Sequence, residues 1–64
     1  MKYEKAMSLA LGTAAEYRRL SDMGDVVLAR QARTTIDELV ATRRNGRWVL
    51  PRAVAEAMGR PELA

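Results

Sequence analysis

Ala6, Ala10 and Ala14 recur every fourth residue inside an apolar arc that also holds Tyr3, Met7, Leu11 and Tyr17. At 100° per residue these positions share one side of a helix, while Glu4, Lys5, Ser8, Gly12, Glu16 and Arg19 share the other. The spacing predicts a helix over about 2–20. One-carbon side chains at every turn leave a shallow ridge, over which a second helix can approach toward the near end of the ~8–10 Å range of interaxial distances. The ridge therefore constrains the fold more than any other feature, because something helical has to cover it. Gly12 lies within this helix at a cost of ~1 kcal/mol relative to Ala; it marks a weak point or a close backbone approach.

The next segment supplies the cover. Ser21-Asp22-Met23-Gly24-Asp25 reads as a break, with Gly24 able to take positive φ and the Ser and Asp side chains able to accept from free helix N–H groups. A loop this short makes the flanking helices antiparallel neighbours. The second helix is expected over about 25–44, with Leu28, Ala29, Ala32, Ile36, Leu39 and Val40 as its apolar arc. Arg43 and Arg44 then fall in the last turn, where cations complement the helix dipole, and Asn45-Gly46 stops it. Asn-Gly is also a hairpin signal, so pairing of 40–44 with 47–51 is the alternative. The helical period running through to Val40 favours the helix.

Trp48-Val49-Leu50 reads as extended, and Pro51 suits the start of a short helix over about 51–59 with Leu50, Val54 and Met58 on one side. Gly59 and Pro61 stop it, and Glu56 with Arg60 forms an i,i+4 pair. Trp48, the one tryptophan, is expected to anchor this segment over the open face of the helical hairpin.

A chain of 64 residues is a single domain, 1–64, and a domain of this size buries only ~60% of its unfolded surface. With no Cys and no His there is neither a disulfide nor an obvious metal site to compensate, so association is the remaining stabiliser. The expected fold is all-α: an antiparallel helical hairpin plus a short C-terminal helix, dimerising into a four-helix core. In length and layout this is similar to small RNA-binding hairpin dimers such as the Rop family. No motif accompanies the similarity. No apolar run approaches the ~20 residues of a membrane span. Lys2 and Lys5 ahead of Ala6-Met7-Ser8-Leu9-Ala10-Leu11 have the flavour of a leader, but Glu4 and Ser8 interrupt it, and a cytoplasmic location is expected.

Chemistry is sparse. The Ser and Thr hydroxyls have no His to activate them, no glycine-rich phosphate loop is present, and neither Asp22/Asp25 nor Asp37/Glu38 comes with the further oxygens that a hard cation needs. No catalytic residue, metal, cofactor or small-molecule substrate is expected. Two binding surfaces stand out instead. Leu9 and Val27 point away from their helices' apolar arcs and, with Trp48 and Val49, are candidate contacts for a protein partner. Arg43, Arg44, Arg47 and Arg52 surround Trp48 without an acid between Glu38 and Glu56, which suits phosphate, with the indole free to stack on a base. Among the other arginines, Arg33 with Asp37 and Arg18 with Asp22 have ion-pair spacing. The leading expectation is a small non-enzymatic regulator or inhibitor, of a size common in phages and mobile elements, that binds a protein through helix faces. The alternative is a nucleic-acid-binding regulator that uses the four arginines.

Overall fold

A computed structural model describes residues 2–64; Met1, the first residue of the expected domain, lies outside them. Helix α1 runs Tyr3–Asp22 and helix α2 runs Val26–Val40. A two-stranded antiparallel ribbon follows, β1 Thr42–Arg44 and β2 Arg47–Val49, then helix α3 Arg52–Ala57 and a single 3-10 turn at Pro61–Leu63. No helix among the described residues is long and apolar enough to cross a membrane.

The alanine ridge does what its spacing implies. Ala6, Ala10, Ala14 and Tyr17 are buried against α2, which contributes Ala29, Ile36 and Val40. The connection is closed by the chemistry its residues suggest. Gly24 takes φ +79°, the Asp25 N–H reaches back to the Leu20 carbonyl at 2.9 Å, and the Asp25 carboxylate caps α2 by accepting from the Leu28 N–H at 3.1 Å. Gly12 faces open space, so it is a local helix cost and not a close approach.

The arrangement departs from the all-α expectation after Val40. Continuing the buried stripe would put Arg43 and Arg44 at the next i+3 and i+4 positions, so α2 has nothing left to bury. Ala41 turns extended (ψ 137°), and Asn45 and Gly46 both take positive φ, at 52° and 78°. Two left-handed residues in succession are the geometry of a type I′ turn, which matches the twist of a hairpin. The residues expected to end a helix therefore form β1, paired Thr42↔Val49, Arg43↔Trp48 and Arg44↔Arg47.

Trp48 is a second correction. It is 63% exposed and does not anchor the core. Alternation along β2 turns Val49 half inward and leaves Trp48 outward, and the place expected for the indole is filled by Leu50, Val54, Ala55 and Met58. These residues join the same buried cluster, with α3 packed on α1. Gly59, at φ +75°, ends α3 and lets the Arg60 N–H return to the Ala55 carbonyl at 2.9 Å. This turn carries Arg60 away from Glu56, so the expected pair is replaced: Glu56 meets Arg52 at 3.3 Å, and Arg60 meets Glu62 at 2.5 Å. The last turn is tied down twice, by the Leu50 N–H donating to the Leu63 carbonyl at 2.9 Å and by Arg60 Nη1 donating to Tyr17 Oη at 3.0 Å.

The Glu62 hydrogen bond, then that of Tyr17, holds Arg60 above its ordinary range, and the Arg60 hydrogen bond holds the Glu62 carboxyl below the usual carboxylate value. The contribution of this pair is complete above the ordinary Glu value and disappears as pH falls through the lowered one. Acid titration followed by NMR should therefore move the Leu63 and Ala64 amides below that ordinary value, and an Arg60→Gln variant should shift the transition upward.

Ile36 is fully buried, so Ile36→Ala should cost ~2–5 kcal/mol in urea denaturation. Trp48→Ala should cost under about 1 kcal/mol, because surface positions contribute little. The opposite ranking would place the indole, and not α2, at the centre of the core.

Candidate nucleic-acid interface

The ribbon presents two chemically different faces. On one, Arg44 and Arg47 are direct cross-strand partners. Like charges facing each other across a ladder destabilise it, and among the described residues no acid forms an ion pair with either. On the other face Arg43 lies over the Trp48 ring at 5.4 Å from its centroid. Arg43 is steadied by donating from Nη2 to the Gly46 carbonyl at 3.0 Å. A guanidinium held over an exposed indole keeps its remaining N–H groups for an outside acceptor.

Between the ribbon, the start of α1 and the C-terminal turn lies an open cleft of about 1140 Å³. Arg43, Arg44 and Arg52 line it together with Tyr3 and Glu56. The four sequence-predicted arginines are thus brought to one end of the molecule, three on the cleft and Arg47 opposite Arg44. They differ in availability. Arg52 is paired with Glu56, whereas Arg43, Arg44 and Arg47 meet no carboxylate side chain within ion-pair distance. Arg47 Nη2 reaches only the Ala64 carbonyl, at a long 3.4 Å.

The helical spacing puts Tyr3 in the apolar arc, yet it is 67% exposed beside this cleft. It is the first residue of α1, one turn before the first covered residue of the ridge, Ala6.

The candidate protein-contact residues do not form one surface. Leu9 is 46% exposed on α1 and Val27 68% exposed at the start of α2, while Trp48 lies beyond the far end of α2, a helix of 15 residues or about 22 Å. Val49 is half-buried and lines the arginine cleft. Val27 has exposed neighbours: Met23 and Val26, and also Leu28, expected on the apolar arc of α2 but exposed in its first turn, giving four large apolar side chains around the Gly24-Asp25 turn. The second arginine set is partly paired as its spacing suggested, with Arg33 at 3.7 Å from Asp37, while Arg19 pairs with Glu16. No group of three or more acidic side chains gathers to hold a metal ion among the described residues.

Comparison with protein-family models, with curated proteins and with solved structures finds no match. The functional reading therefore rests on the residues and their geometry.

Proposed function

We propose that the protein is a non-enzymatic nucleic-acid-binding regulator that holds phosphate groups with its arginine ribbon. The observation that carries this reading is the Arg44–Arg47 cross-strand pair, exposed and without a carboxylate partner, next to Arg43 on Trp48. The ladder bears the repulsion of two guanidinium groups that a phosphate between them would relieve. Arginine forks match phosphate oxygens in pairs, and the exposed indole offers a face or edge to an unpaired base.

Trp48 is the one tryptophan, so emission excited at a wavelength that spares the two tyrosines reports the ribbon. Titration with a mixed-sequence single-stranded oligonucleotide at ~50 mM salt should quench it. The logarithm of affinity should fall linearly with the logarithm of salt by ~0.7 for each phosphate engaged on a single strand. Arg44→Ala and Arg47→Ala should each flatten that slope by about one contact's worth. Binding absent at ~50 mM salt, or a slope indifferent to both substitutions, would remove the reading.

A second reading, association through helix faces with a protein or another copy of this chain, is favoured by a separate observation. The accessible surface is 4606 Å², above the ~4,100 Å² typical of a compact monomer of this mass, and exposed apolar side chains at Leu9, Met23, Val26 and Val27 contribute to it. Dimerisation into a four-helix core would cover such residues. Sedimentation over ~1–100 μM should then show concentration-dependent mass, weakened at least ~10-fold by Val27→Asp. A monomer throughout that range would leave the ribbon as the surviving surface.

A further inference from the structure

The turn end of the helix pair, away from the ribbon, holds a smaller cleft of about 370 Å³ between α1 and α2. That lies within the ~300–1,000 Å³ range of small-molecule sites. Val26 and Ala29 form an apolar wall, and Tyr17, Arg30, Arg33 and Asp37 supply the polar groups.

The polar groups are mostly donors with capacity to spare. Arg33 Nε is shut off from solvent and has no hydrogen-bond partner. Its nearest carboxylate, Asp37, stands at 3.7 Å, close enough for charge attraction but beyond hydrogen-bond length. The Nε atom is closed off, so the donors a molecule in the cleft can meet are the terminal N–H groups of Arg33, whose side chain is 37% exposed, and those of Arg30, which is exposed and forms no ion pair among the described residues. Tyr17 Oη already accepts from Arg60 Nη1, which leaves its own proton to donate. Arg30 and Arg33 exceed Asp37 by one positive charge, while Arg60 is matched by Glu62.

We propose that this cleft binds a small organic monocarboxylate. The carboxylate accepts from the terminal guanidinium N–H groups of Arg30 and Arg33 and from the Tyr17 hydroxyl, and the apolar body of the molecule lies on Val26 and Ala29. One excess positive charge balances one negative charge and leaves the second charge of a phosphate monoester uncompensated beside Asp37. This site is independent of the ribbon and of its nucleic-acid reading.

The probes are benzoate and hexanoate, with benzamide as the neutral shape control, followed by protein-observed NMR. Both carboxylates should give saturable shifts centred on the Ser21, Gly24, Ala29 and Arg33 amides, with Kd at or below ~1 mM. Benzamide should bind at least ~10-fold more weakly, because a hydrogen bond to a charged acceptor is lost. Arg33→Gln and Tyr17→Phe, each with an unchanged helical circular dichroism spectrum, should weaken benzoate ~10-fold and several-fold respectively. If either variant unfolds, Arg30→Gln serves in its place and should also weaken benzoate through lost charge. Equal affinity for benzoate and benzamide, no saturation by ~10 mM, or shifts centred on residues 43–47 would overturn the proposal.

Discussion

The close contact of α1 and α2 over Ala6, Ala10 and Ala14 is what the rest of the molecule depends on. Small side chains let Ile36 and Val40 sit fully or almost fully buried against the facing helix. They also mean that the contact itself brings little apolar area, because Ala carries few carbon atoms to remove from water. The chain makes up the shortfall where α3 packs on α1, with Leu50, Val54, Ala55 and Met58 completing the same core. Hydrogen bonds from Leu50 to Leu63 and from Arg60 to Tyr17 then fasten the last turn to a body too slight to hold it by packing alone.

An antiparallel pair has two ends, and here they differ chemically. One end carries the ribbon, dense in guanidinium groups and lacking carboxylate partners for three of them. The other carries the Gly24-Asp25 turn, ringed by Met23, Val26 and Val27, with Arg33 and Tyr17 set into the groove behind it. Neither end is required to be this way by the core. Arg44 opposite Arg47 weakens the ladder it belongs to, and an unpartnered Arg33 Nε weakens the groove. Locally unfavourable arrangements of this kind are where binding chemistry is expected to lie.

Much of this was legible in the sequence. Both long helices, the break at Gly24, the Asp25 cap, the short third helix and the core positions Ala10, Ile36, Val54 and Met58 follow from periodicity and turn chemistry. The misreadings share one cause, the weighing of a local signal against a periodic one. Arg43 and Arg44 fit a helix terminus as well as a strand, and only the absence of an apolar residue at either position shows that the stripe had ended at Val40. The Asn45-Gly46 pair then decides the conformation, because two consecutive positive φ angles cost an Asn-Gly sequence little. Once the chain pairs as a ribbon, pleat parity moves Trp48 outward whatever its hydrophobicity. The arginines of the candidate interface were identifiable as a set; their cross-strand opposition and the stacking of Arg43 on Trp48 were not, since both depend on strand register.

The ribbon is rooted at both feet in buried residues, Val40 before it and Leu50 after it. Everything between those anchors except half-buried Ala41 and Val49 is solvent-facing, so the seven residues 42–48 add nothing to the buried cluster. Exchanging a side chain there alters what the ribbon presents to solvent and leaves the interior as it is.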